Sequence, residues 1–106
     1  YALDKANFIN NKYGNYVKAY YVNTNSIEII SNKTNKAKAI YWLIKFCNNV
    51  NKTNTYVIGD GYSDIEMVQE FNGYCMADSV SKLKSIAIRE YDSVSSLIKE
   101  ILNSEK

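Results

Sequence analysis

Thr55-Tyr56-Val57-Ile58-Gly59-Asp60-Gly61-Tyr62-Ser63-Asp64 is the stretch whose reading decides the fold. β-Branched and aromatic residues run straight into Gly-Asp-Gly, and helical spacing begins after Ser63-Asp64, so the order is strand, tight turn, helix. In a parallel α/β sheet, ligands bind at the carboxyl ends of strands, and this turn puts two carboxylates at one such end. Glycines on both sides of Asp60 let backbone and ligand approach closely. Asp60 and Asp64, with no basic residue between them, suit a hard cation such as Mg²⁺. Turn chemistry alone also produces such a string, with Asp60 as a turn residue and Asp64 as a helix-start residue.

Downstream, Ser63-x-x-Glu66 has capping-box form, and Ile65, Met67, Val68 and Phe71 give the helix a buried side that Gly73 terminates. Tyr74 to Ala77 reads as a short strand ending at Asp78-Ser79. A brief helix from Val80 to Ala87 and a strand over Ile86 to Ile88 follow. Asp92-Ser93 then caps a last helix with Val94, Leu97, Ile98, Ile101 and Leu102 on its apolar face.

Upstream of the Asn48 to Asn54 loop, Ile40, Leu43, Ile44, Cys47 and Val50 form a helical stripe bordered by Ala37 and Phe46, with Asn35 as N-cap. Lys36 and Lys38 occupy the first turn, where the helix dipole disfavours a cation by about 0.3 to 1 kcal/mol. A helix N-terminus carrying an ammonium attracts anions, which points toward phosphate; a solvated lysine tolerating a small penalty is the competing explanation. From Lys36 onward, helices and strands alternate, which calls for a parallel sheet with right-handed crossovers. Before it, Leu3, Ala6, Phe8, Ile9 and Tyr13 recur at helical intervals up to Gly14-Asn15. Tyr16–Val22 and Ser26–Ile30 then read as strands of a hairpin joined by Asn23-Thr24-Asn25. Such an α-β-β piece cannot bury both of its faces alone.

The 106 residues allow one domain at most, with a real core. No apolar run approaches the roughly 18 residues of a spanning helix, and no signal-like N-terminus is visible, so a soluble cytoplasmic protein without membrane contact is expected. A net charge of +2 with dispersed lysines argues against nucleic acid. The absence of His, and of any second Cys near Cys47 or Cys75, excludes zinc and histidine-based catalysis; both cysteines are expected in the core. A start at Tyr1 instead of Met suggests that a preceding part belongs to the protein. Abundant Asn, Lys, Ile and Tyr with no proline reflect A/T-rich coding.

Taken together, Ile27-Glu28-Ile29, Asn35-Lys36-Ala37-Lys38-Ala39-Ile40, Ile58 to Met67 and Gly73-Tyr74-Cys75-Met76-Ala77-Asp78-Ser79 resemble, in order and spacing, the haloacid dehalogenase superfamily. The similarity is to its Cof-type phosphatases, whose cap domain is inserted between the second and third motifs. The resemblance implies the C-terminal half of a Rossmannoid α/β core, with residues 26–106 in the core and 1–25 a cap remnant of α-β-β form. It implies that Lys36 is the third-motif lysine, contacting both phosphoryl group and nucleophile. Asp60 is implied as a direct Mg²⁺ ligand and Asp64 as a metal-site residue acting from nearby, both counted with Lys36 as catalytic. Ser63, where Asn is common, is implied in substrate binding. Asp78 stands where Asn is usual and Ala37 where Gly is usual.

The family's D-x-D motif, which supplies the nucleophile and the general acid/base, occurs nowhere in this sequence. The expectation is therefore a hydrolase fragment, inactive alone. In the intact protein it would serve a Mg²⁺-dependent phosphatase of small phosphomonoesters, sugar phosphates or similar, working through an aspartyl-phosphate. Cation-pumping ATPases share the Gly-Asp-Gly-x-x-Asp turn, but their domain continues into membrane helices. A non-catalytic α/β binding or partner module retaining relics of the site is the other alternative. An open sheet edge and uncovered apolar surface predict self-association.

Overall fold

The computed structural model describes residues 1–104. Alternating residues build a hairpin of β1 (Val17–Asn23) and β2 (Ser26–Ser31), antiparallel with Tyr20 opposite Glu28 and an irregularity between Tyr21 and Asn23. Helix α1 (Ala2–Tyr13) packs on it through buried Ala2 and Ala6, small enough to let helix and strand approach. Asn10 completes the contact. Its side-chain oxygen accepts the Ala19 N–H at 2.7 Å and its amide donates to the Ala19 carbonyl at 2.9 Å, standing in for a neighbouring strand. Among the described residues the hairpin pairs only within itself, and it runs to Ser31.

A parallel sheet in the order β3-β4-β5 forms the second part, from β3 (Ile58–Gly59), β4 (Tyr74–Met76) and β5 (Glu90–Tyr91). Helices α2 (Lys36–Ile44), α3 (Ile65–Glu70), α4 (Ser81–Ile86) and α5 (Val94–Ser104) flank or connect these strands. Val57, Met67, Val68, Phe71, Cys75 and Leu83 pack as one core with Ala37. Val68, Cys75 and Leu83 are fully buried; each large aliphatic side chain there contributes about 1.5 to 3 kcal/mol. The two parts meet over a narrow contact, and the molecule is elongated, 50 × 31 × 18 Å.

Several local expectations are corrected. Helix α2 ends at Ile44, because Phe46 and Cys47 turn back onto the carbonyls of Leu43 and Ile44, and Asn49 at φ 63° carries the chain away. Its inner stripe is Ala37, Ile40, Tyr41 and Ile44, leaving Leu43, Phe46 and Val50 on the surface. Cys47 is exposed; only Cys75 joins the core. Strand β5 lies at Glu90–Tyr91 and not at Ile86–Ile88, since Ile86 belongs to α4 and Ile88 is exposed. Helix α3 is ended by Asn72, in the left-handed region at φ 49°, and not by Gly73. Gly73 has a different role: a Cβ there would lie 2.3 Å from Val57 Cγ2, so its bareness lets the loop seat against the core.

Candidate active site

Strand β3 stops at Gly59, and the chain passes through Asp60 and Gly61 into a single 3-10 turn, Tyr62–Asp64, that feeds α3. The turn is folded around the Asp64 carboxylate. Oδ2 accepts the backbone N–H groups of Asp60 at 3.0 Å and Gly61 at 3.1 Å, and Oδ1 accepts from Lys36 Nζ at 2.5 Å. Burial resists charge on Asp64, but the lysine and the two N–H groups outweigh it and hold the carboxyl below its ordinary range. Lys36 is correspondingly raised: desolvation opposes its charge, and the hydrogen bond it donates to Asp64 prevails. Gly59 makes the arrangement sterically feasible, since a Cβ there would stand 2.4 Å from the Asp64 Cβ.

Asp60 points the other way in chemical terms. It is exposed and takes part in none of the ion pairs among the described residues. Its carbonyl accepts the Val80 N–H at 3.1 Å, and buried Ser79 donates toward the carbonyls of Met76 at 2.6 Å and Gly59 at 3.2 Å. These bonds tie the loop after β4 to the Asp60 turn. A cavity of about 330 Å³ opens there, and Lys36, Asp60, Ser63, Asp64 and Asp78 all line it. The residues singled out from the sequence are thus neighbours, although Lys36 and Asp64 lie far apart in the chain.

The metal expectation meets these donors unevenly. Asp60 is free to serve as one oxygen ligand, whereas both Asp64 oxygens are committed to hydrogen bonds. Among the described residues no group of three or more His, Cys, Asp or Glu is placed to hold a metal ion. The donor set suits Mg²⁺ as part of a site and does not complete one.

Ser63 does not form the capping box expected with Glu66. Its hydroxyl faces Glu28 Oε2 at 3.4 Å, while Glu66 accepts from Tyr20 Oη at 2.9 Å and Lys18 Nζ at 3.2 Å. Sequence reasoning missed these hairpin residues as site components. Tyr20, Tyr21 and Glu28 line the cavity, and the Tyr21 ring meets Tyr62 edge-on at 6.0 Å. The only signal for them was the hairpin alternation, which puts Tyr20 and Glu28 on one face.

A Plasmodium vivax protein described as a HAD/COF-like hydrolase shares the fold with a TM-score of 0.84 at 19% identity, over 96% of this chain and 38% of its own. A Streptococcus mutans protein superposes with a TM-score of 0.79 at 23% identity, over 95% of this chain and 40% of its own. A haloacid dehalogenase-like hydrolase from Bacillus subtilis gives 0.68 at 23%, over 82% and 31%. The chain thus spans about two fifths of the length of the first two structures. No curated protein matches the sequence. The haloacid dehalogenase-like hydrolase family matches residues 4–96, and with the parallel sheet, the Gly-Asp-Gly turn and the Lys36–Asp64 pair in place, the chain belongs to that family.

Proposed function

We propose that this chain supplies part of the active site of a Mg²⁺-dependent phosphatase of small phosphomonoesters, acting through an aspartyl-phosphate formed on a residue outside this sequence. The observation that carries the reading is the Lys36–Asp64 pair lining one cavity together with the exposed Asp60. Lys36 offers a fixed positive charge to the phosphoryl oxygens, and preorganised charge of this kind stabilises a transition state more than mobile solvent does. Asp64 is a positioning residue that holds both the lysine and the Asp60 turn, and Asp60 supplies one carboxylate toward Mg²⁺. Bound there, the ion would offset negative charge on the phosphoryl group. Ser63 reaches the same cavity and provides a hydroxyl donor. On this reading the α1-β1-β2 piece belongs to a cap that closes over the site.

The competing reading is a non-catalytic module that keeps these residues, and the lack of any D-x-D in the sequence is what favours it. Expressing the chain together with its upstream coding sequence separates the two. Phosphate release from p-nitrophenyl phosphate that requires Mg²⁺ and stops with EDTA supports the phosphatase; no release above a vector control from well-folded protein supports the module.

A further inference from the structure

Glu28 is the one carboxylate of the cavity that comes from the hairpin. It is half-buried, yet none of the ion pairs among the described residues includes it. Its contact with the Ser63 hydroxyl, at 3.4 Å, is longer than the ~3.0 Å limit of a good O–H···O bond. An ionised carboxylate has acceptor sites on two oxygens, so most of its capacity is unused. Leaving such a group partly desolvated and unpaired is costly, which suggests that something else comes to donate to it. A metal ion is not indicated, because no set of three suitable ligands surrounds it among the described residues.

The rest of the cavity narrows the donor. Asp60, Asp64 and Asp78 share it with a single cation, Lys36, which Asp64 already engages. A ligand's first anionic group can use Lys36, which also lies within electrostatic range of Glu28; a second would face Glu28 with no further cation lining the cavity. Tyr21 and Tyr62 offer ring surface beside this carboxylate, suited to a short carbon skeleton. We propose that Glu28 is the specificity-determining residue for the leaving group. It accepts hydrogen bonds from hydroxyl or ammonium groups next to the phosphate, and repels leaving groups that carry a second negative charge. The inference rests on the phosphatase reading above. It adds a repulsive element, and specificity commonly depends on one.

The test is a ¹H–¹⁵N NMR titration of the 106-residue chain in excess Mg²⁺, wild type against Glu28→Gln, which keeps the shape and removes the charge. The probes are inorganic phosphate, glycerol 3-phosphate, 3-phosphoglycerate and phosphoethanolamine. The second and third differ only in a terminal hydroxymethyl or carboxylate, and the fourth offers an ammonium. Phosphate should move the Lys36 and Gly61 amides equally in both proteins. Glycerol 3-phosphate should bind wild type about tenfold more tightly than 3-phosphoglycerate, equivalent to 1.4 kcal/mol, and Glu28→Gln should bring the two within about twofold. Tighter binding of phosphoethanolamine than of glycerol 3-phosphate identifies the ammonium as the preferred donor; the reverse order identifies the hydroxyl. If phosphate moves Lys36 and Gly61 but the ratio is unchanged in Glu28→Gln, the role of Glu28 is overturned while the phosphate site stands. If phosphate moves neither amide, both ideas fail.

Discussion

Asp64 is the side chain around which the turn after β3 is built. Its two oxygens hold two backbone N–H groups and an ammonium, and its bulk occupies the space that Gly59 leaves. The two glycines flanking Asp60 are therefore unequal, although in the sequence they look alike. Gly59→Ala should cost about 1 to 3 kcal/mol, because the methyl group meets Asp64 and not the end of a flexible chain. Gly61→Ala, with extended backbone and nothing within 4 Å of the added carbon, should stay within about 0.5 kcal/mol. Urea midpoints of the two variants decide the matter, and similar losses would mean the turn itself, and not Asp64, needs glycine. In a protein that includes the upstream segment, Lys36→Ala should lower kcat/KM for p-nitrophenyl phosphate by at least ~10²-fold, while Lys38→Ala should do little. Equal effects would reduce Lys36 to general positive charge. Lys36, Asp60 and Asp64 were legible because strand-end turns and helix starts have local signatures. Glu28 was not, since nothing local marks a strand residue that reaches another part of the fold.

Among the elements, β1 is fastened to α3 by one carboxylate. Glu66 accepts from buried Tyr20 and from Lys18, and its second oxygen is buried without a partner. Burial resists ionisation of Glu66, but the hydrogen bonds it accepts outweigh burial and lower its pKa below the ordinary 4.5. The folded chain thus holds this proton more weakly than the unfolded chain. The stabilisation is complete above the ordinary value and is lost as pH falls through the lowered one. Urea midpoints should therefore be lower for Glu66→Gln than for wild type at pH 7, and the gap should close as pH falls through the lowered value; a gap independent of pH would point to packing alone. This fastening also explains the failed capping box: Ser63 and Glu66 are both drawn toward the hairpin, which local sequence cannot register. The extent of α2 was overread for a related reason. The apolar stripe continues through Cys47 and Val50, but the helix ends at Ile44, before Cys47, and Asn49 at positive φ turns the chain away before Val50.

For the molecule as a whole, the alternation of helices and strands made the parallel sheet readable, because each crossover needs a helix between strands. How the hairpin meets the sheet was not readable, as it depends on a few side-chain contacts. On the proposed mechanism the attacking carboxylate and the acid that protonates the leaving oxygen come from a D-x-D motif, which does not occur in this sequence. The 106-residue chain alone should show no turnover of p-nitrophenyl phosphate with excess Mg²⁺. Activity that survives purification and vanishes in Asp60→Asn or Asp78→Asn would reveal a different nucleophile. Mg²⁺ should bind it more weakly than micromolar by calorimetry, since Asp60 alone leaves an octahedral ion short of carboxylates; tighter binding abolished by Asp60→Asn would overturn this. The two cysteines carry a further consequence. Cys47 lies on the surface and Cys75 sits fully buried in the central strand of the parallel sheet. A thiol reagent must therefore modify the chain in two kinetic phases, one immediate and one gated by opening of the sheet. The slow phase is a built-in clock for how often this core comes apart, readable under native conditions from a cysteine the chain already carries.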